Sequence, residues 1–343
     1  MFYKRLLVRC HCDSFSGYGQ LSLNVVRGLR DYGYDLVVRP TAIDERFGPY
    51  PEDVKKLLWD REPAIQQELF LHLPRAMYPN RKAVLWYTMW ESTRLKPEWV
   101  GYMNEATAIA VPSTYCANVF SANGINQPIH KIPLFIDEVY QYRGYPKFGK
   151  FRFGAGGRTT YGGCRKGLAR LITLFQKAFP DETDVELQIK TLRDTEMEQP
   201  ADSRVRLIKD YYTEPQMLDW YANLNAFISI STSEGWGFMQ HQAMKVGRPV
   251  ITTDYAGVSE YFDDSCGFPL DYTFEQATDI YQGQGIWAVP TDESIIRSMR
   301  IAYGNRGLCE QLGMKASRSV RKFTRERYIE ALSDLIQQYN LAR

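Results

Sequence analysis

What this 343-residue chain lacks narrows its class first. No apolar run approaches the roughly 18 residues that a membrane-spanning helix needs. The opening MFYKRLLVRC has no long apolar stretch of the kind that marks a secretory leader. No CxxC pair occurs, and Cys10, Cys12, Cys116, Cys164, Cys266 and Cys309 follow no framework spacing. They read as reduced thiols, and the expected compartment is the cytoplasm. Neither sign of charge dominates: 42 Lys+Arg against 40 Asp+Glu leaves +2, so no global field points to nucleic acid or a membrane surface. GxxxxGK[ST] is absent, which excludes a lysine P-loop, and the turn after the first strand lacks the third glycine of a dinucleotide fingerprint. Cys10-His11-Cys12 looks like a metal fragment, but side chains alternate along a strand, so His11 points away from both cysteines. No metal is expected.

What is present fits a globular protein: 44% hydrophobic, 24% charged and 14% aromatic residues. The length suits two domains of roughly 150 residues each. Strand and helix signals alternate. KRLLVRC, DLVVRP, ELFLHL, AVLWYTMW, ATAIAVPS and IHKIPLF read as strands; QLSLNVVRGLRDYG, PEWVGYMNEA and TYCANVFSANG read as helices. After a Gly/Pro/Tyr-rich linker at 140–150, a second series follows: FRFGAGG, GLARLITLFQKAF, DVELQIKT, VRLIKDYY, PQMLDWYANL, AFISIS, RPVITTD and GIWAVP. A long helical tail, ASRSVRKFTRERYIEALSDLIQQYN, closes the chain. Continuous apolar strands alternating with helices predict α/β architecture: two doubly wound, Rossmann-like domains facing a central cleft. The expected boundaries are 1–143, 144–320 and a C-terminal helix at 321–343. In such sheets ligands bind beyond the carboxyl ends of the strands.

Three stretches fall at strand-to-helix turns. In SFSGYGQLSLN, Gly17 and Gly19 let backbone approach a bound group ahead of a helix N-terminus; a merely tight turn is the plainer alternative. FGAGGRTTYGGCRKGLAR is glycine-rich and carries Arg158, Arg165 and Lys166. Around it, residues 139–180 hold nine Lys and Arg and no Asp or Glu, which marks an anion site unless the acidic stretch after Asp181 balances it. STSEGWGFMQHQAMKVGRPVI sets Glu234 just past a strand, where it could accept bonds from sugar hydroxyls or cap the following helix. Phe238 and Gln242 lie one turn apart on that helix.

STSEGWGFMQHQAMKVGRPVITTDYAGVSEYF strongly resembles the nucleotide-sugar-binding segment of family 4 retaining glycosyltransferases of the GT-B fold, the glycosyl transferases group 1. GRTTYGGCRKG resembles that family's diphosphate loop, and YTMWESTRLKPEWVGYMNEATAIAVPSTYCANVFSANGINQPIHKIPLFID resembles the end of its N-terminal domain. The likeness runs from about residue 83 to 262, with a weaker echo at SGYGQ.

The resemblance implies a retaining transfer of a sugar from a nucleotide diphosphate to an acceptor hydroxyl, without metal or protein nucleophile. It places Glu234 on the donor sugar and Arg158 and Lys166 on the diphosphate. Backbone N–H groups at Gly237 and Phe238 are expected to help hold phosphate, with Gly235 a further substrate-binding candidate. Gly17 and Gly19 are expected to form the N-domain loop, and the C-terminal helix to cross back to the N-terminal domain as it commonly does in this fold. Domain closure over the donor is expected. This chain departs from the pattern at Gln242, which stands where the second acid usually contacts ribose. Arg165 shares or replaces a cationic role in the longer loop. Glu91 is the nearest polar candidate on the N-domain side, where some members have histidine. His241 reads as a surface or packing residue, and Lys209–Tyr212 as the turn that meets the base.

The donor is a substrate and no separate cofactor is expected. The acceptor stays open among glycan, lipid-linked glycan, small molecule and other classes, with near-zero net charge arguing against nucleic acid. A catalytically weak nucleotide-sugar-binding protein of the same fold is the alternative that Gln242 supports.

Overall fold

A computed structural model describes residues 5–11, 17–41, 51–58, 67–71, 83–159 and 163–342. The chain divides into two compact units. The first comprises Met1–Trp90, Arg94–Phe135 and Phe323–Arg343, and the second Glu91–Thr93 and Ile136–Lys322.

In the first unit, β1 (Arg5–Cys10), β2 (Asp35–Pro40), β3 (Gln67–Leu71), β4 (Ala83–Tyr87), β5 (Ala108–Val111) and β6 (Ile129–Lys131) form one sheet in the order β2-β1-β3-β4-β5-β6. Every pairing is parallel. Leu6, Leu7 and Val8 are fully buried on successive faces of β1, which explains why its sequence is continuously apolar. The helices are α1 (Gly17–Asp31), α2 (Glu52–Lys55), α3 (Pro97–Asn104) and α4 (Thr114–Ala122).

The second unit repeats the plan with β7 (Phe151–Gly156), β8 (Val185–Thr191), β9 (Val205–Lys209), β10 (Ala226–Ser229), β11 (Val250–Thr252) and β12 (Gly267–Pro269), ordered β12-β11-β10-β7-β8-β9 and again all parallel. Its helices are α5 (Leu168–Ala178), α6 (Glu214–Ala222), α7 (Phe238–Val246), α8 (Asp292–Gly304) and α9 (Arg306–Ser319). In α5, Leu168, Leu171, Leu174, Phe175 and Ala178 recur at helical spacing and are buried, in the same core as Phe151, Phe153 and Phe179.

Three expectations change in detail. The segment GIWAVP forms β14 (Ile286–Pro290), but it pairs antiparallel with β13 (Tyr272–Gln276) and lies outside the parallel sheet. The tail is not one helix. It breaks after α9, where Thr324 accepts from Arg327 N–H and caps a new helix, α10 (Arg325–Gln338). The glycine turn after β1 also differs, because α1 already includes Gly17 and Gly19, and Gly19 is buried in its first turn. Cys12 lies outside the described residues.

Helix α10 belongs to the first unit and packs on α1. A methyl group on Gly28 would come within 2.3 Å of Ile329 Cδ1, so the helices approach over a missing side chain. Tyr34 and Ser333 share a hydroxyl hydrogen bond of 2.8 Å, and the Tyr328 ring lies 5.8 Å from Tyr87.

Candidate functional site

In the second unit, β7 and β10 are neighbours and parallel, so the loops beyond their carboxyl ends meet. The loop after β7 tightens into a 3-10 turn at Gly163–Lys166. The loop after β10 carries Glu234. Thr232 N–H donates to Arg165 O at 3.0 Å, which fixes the two loops together.

On that joint the charged side chains converge. Glu234 is 6% exposed and faces two cations: Oε2 lies 2.8 Å from Arg165 Nη1, and Oε1 accepts from Lys166 Nζ. Burial raises the Glu234 carboxyl, but the charges of Arg165 and Lys166 outweigh it and lower it to about 2. Burial also acts against the Arg165 charge, yet Glu234 and Glu91 raise it above its ordinary range. Burial, then Arg165 beside it, pushes Lys166 down against the pull of Glu234.

Glu91 joins the same cluster. It lies 3.4 Å from Arg165 Nη2 and accepts from the Tyr281 hydroxyl at 2.8 Å. Arg165 also donates to Ser233 O at 2.7 Å. The arrangement is a buried ionic network in which two cations face two carboxylates, with one phenol as a neutral donor. Such a site can exchange a carboxylate for another anion without rebuilding its cations.

Residues 151–277 of this chain match the family model described as Glycosyl transferases group 1. No curated protein matches the chain. Among solved structures it is similar to sucrose-phosphate synthase from Thermosynechococcus elongatus, at 11% identity and TM-score 0.71, with 98% of each chain covered. The fold is that of the GT-B glycosyltransferases. The chain is also similar to a lipopolysaccharide outer core galactosyltransferase, at 12% identity and TM-score 0.63, covering 97% of this chain and 99% of that one. A third similarity is to α,α-trehalose 6-phosphate synthase from Burkholderia multivorans, at 8% identity and TM-score 0.64, covering 98% and 99%.

Within this GT-B chain the remaining candidates are placed as follows. The Arg158 guanidinium lies 3.1 Å from Asp194. Other basic residues of the 139–180 stretch also meet acids: Arg152 meets Glu186, Lys147 meets Glu310, and Arg170 meets Asp292. The acidic stretch after Asp181 thus balances part of that basic run. Arg165 and Lys166 instead turn to Glu234.

Glu234 makes no helix cap. The N-cap of α7 is Gly237, at φ +91°, with no side-chain cap bond. A side chain there would strain the backbone and approach the Tyr261 hydroxyl at 2.7 Å. Gly257 is required for a different reason: a methyl group on it would sit 2.1 Å from Gly235 O. Tyr261 donates to Trp236 O and Gly237 O at 2.9 and 2.8 Å, so the EGWG turn is pinned from behind.

Phe238 is half-buried at the start of α7. Gln242 is 4% exposed and its Oε1 accepts from the Tyr221 hydroxyl at 3.0 Å. His241 is a buried packing residue rather than a surface one. Trp236 Nε1 donates to its Nδ1 at 3.0 Å, its ring stacks on Tyr261, and burial pushes its pKa down to about 3. In the turn after β9, the Lys190 ammonium lies 4.7 Å from the Tyr212 ring centroid and donates to Asp210 O. Burial pushes Lys190 down to about 8, partly offset by Asp210.

Sequence reasoning missed Tyr281, which sits in a segment without a motif, and the Trp236–His241–Tyr261 latch behind the EGWG turn. Among the described residues no group of three or more His, Cys, Asp and Glu side chains could hold a metal ion. No described helix is long and apolar enough to cross a membrane.

Proposed function

We propose that this chain is a retaining glycosyltransferase that moves a sugar from a nucleotide diphosphate sugar to an acceptor hydroxyl without a bound metal. The observation that carries the reading is the Glu234–Arg165–Lys166 network at the carboxyl ends of β7 and β10, inside the segment that matches the group 1 model. Arg165 and Lys166 take the donor diphosphate, and Arg158 joins them by leaving Asp194. Released from its cations, Glu234 accepts hydrogen bonds from donor sugar hydroxyls.

The backbone N–H groups of Gly235, Gly237 and Phe238 lead into α7, whose dipole favours phosphate. Gln242 meets ribose with its amide. Gly17 and Gly19 open α1 in the other unit and enter this reading through the family pattern alone. Glu91 holds Arg165 in place together with Tyr281.

In the reaction the anomeric carbon–oxygen bond to phosphate breaks, and the acceptor oxygen bonds the same carbon on the same face. The acceptor proton passes to the departing phosphate oxygen, and a nucleoside diphosphate leaves. Negative charge builds on that phosphate, so cations fixed beside it stabilise the transition state more than the ground state.

The test is a thermal-shift panel of UDP, GDP and ADP sugars beside NAD(H), with no metal added. Binding to the native state raises its stability in proportion to RT ln(1 + [L]/Kd). A shift with one nucleotide family, reduced in Lys166→Ala, supports the reading. No shift with any donor, or a shift with NAD(H) alone, sinks it.

A further inference from the structure

Strand β13 is exposed at all five positions, Tyr272 to Gln276. Three of the seven large hydrophobic residues exposed among the described residues gather on one face of its hairpin: Tyr272 at 37%, Phe274 at 56% and Ile286 at 39%. Register puts them there. Phe274 lies opposite Ala288 and Gln276 opposite Ile286, and cross-strand partners share a face.

Tyr255 completes a ring cluster, with centroids 5.9 Å from Tyr272 and 5.6 Å from Phe274; those two lie 5.5 Å apart. Backbone bonds tie this cluster to the loop that carries Glu234 at two points. Ala288 N–H donates to Thr232 O at 3.0 Å, and Gly257 N–H, two residues after Tyr255, donates to Glu234 O at 2.8 Å. The aromatic cluster is therefore held to the loop that carries Glu234.

Its charge restricts what it can bind. Residues 249–296 contain nine Asp and Glu and no Lys, Arg or His, and although Arg297 meets Asp271 and Arg170 meets Asp292, the segment stays net negative. Asp254, beside Tyr255, is exposed. Phosphate-bearing ligands are repelled by such a segment. A neutral pyranose ring fits it. Its C–H faces present partial positive charge to the electron-rich faces of aromatic rings, and its hydroxyls donate to carboxylates.

We propose that Tyr255, Tyr272 and Phe274 form a subsite for a neutral sugar ring of the acceptor, which makes the acceptor a glycan rather than nucleic acid or an anionic lipid. This rests on the glycosyltransferase reading and names its second substrate class. Tyr255 is anchored by the ordered turn at Gly257, whereas Tyr272 and Phe274 are exposed and can be replaced without opening the core.

The experiment titrates the full chain and its Tyr272→Ala/Phe274→Ala variant by ligand-observed NMR. The probes are maltotetraose, cellotetraose, chitotetraose, a DNA duplex and phosphatidylglycerol vesicles. The expected result is that a neutral oligosaccharide binds the wild type and binds the variant roughly tenfold or more weakly, as loss of aromatic anchors predicts. The nucleotide-sugar thermal shift stays unchanged in the variant, which also shows that it is folded. Equal oligosaccharide binding in both proteins, no oligosaccharide binding at all, or DNA or vesicle binding that the variant loses would overturn the proposal. A wild type without any nucleotide-sugar shift counts against the transferase reading separately, because the oligosaccharide titration still decides the subsite.

Discussion

Each unit contains a buried ion pair, and the two are built differently. In the first, Arg9 on β1 meets Glu68 on β3 at 3.1 Å, with both side chains 2% exposed. In the second, Glu234 sits in a loop and meets both Arg165 and Lys166. Burial raises the Glu68 carboxyl, and the guanidinium of Arg9 does not bring it back down. Burial acts on Glu234 as well, but two cations win and lower it to about 2.

Where burial outweighs the facing guanidinium, the carboxyl is held in a strand ladder with a raised pKa. Where the facing cations outweigh burial, the carboxylate stays charged, and another anion can replace it. Position matters too: the backbone around Arg9 and Glu68 is fixed by β1–β3 pairing, whereas Glu234 lies beyond the strand ends.

The largest expected effects break the second pair without touching the first. Glu234→Gln and Lys166→Ala should each lower transfer by roughly 10²–10³-fold or more, as loss of a preorganised charge does elsewhere. Nucleoside diphosphate release measures this, with circular dichroism to show an unchanged fold. Next comes the first pair. Arg9→Met removes the guanidinium beside buried Glu68 and should cost about 3–5 kcal/mol in urea unfolding, while adding Glu68→Met should recover most of that loss. A double variant no better than the single one would mean that packing, not charge, set the cost.

The pairs should also respond to pH in opposite directions. Glu234 has a lowered pKa, so its stabilisation is complete above its ordinary value of 4.5 and is lost as pH falls toward about 2. Glu68 has a raised pKa, so its contribution is complete below 4.5 and is lost as pH rises through the raised value. Unfolding free energies of wild type, Glu234→Gln and Glu68→Gln across acid pH should therefore diverge from wild type with opposite slopes. Parallel curves would erase the contrast. The smallest effect is at Gln242, where Gln242→Glu should tighten nucleotide binding by about 1 kcal/mol if its amide meets ribose, because a charged acceptor bonds more strongly. Calorimetric Kd values check it.

The alternation of strand and helix was legible because parallel strands are buried on both faces and read as continuous apolar runs, as in LLVRC and AFIS. The hairpin was not legible as a hairpin. GIWAVP reads as a buried strand, and only its partner Tyr272–Gln276, exposed throughout, makes it antiparallel. The break before α10 turns on one capping residue, Thr324, inside a run that keeps helical spacing.

Within the candidate site, Glu234 and Lys166 stand out through spacing and family likeness. Arg165 did not rank first because its reach to Glu91, 74 positions earlier, is a tertiary fact. Tyr281 carries no local signal at all. Arg158 carried a family role in the sequence, yet in this structure its partner is Asp194. A basic residue in a glycine-rich loop does not announce which acid it will meet.

The central claim is that Arg165 and Lys166 exchange Glu234 for a diphosphate. Isothermal titration of UDP, GDP and ADP into wild type, Lys166→Ala and Arg9→Met tests it most directly. The account predicts that one nucleotide binds the wild type, binds Lys166→Ala roughly tenfold or more weakly, and binds folded Arg9→Met unchanged. Equal affinity in wild type and Lys166→Ala would contradict it, because the cations beside Glu234 would then have no part in holding the donor.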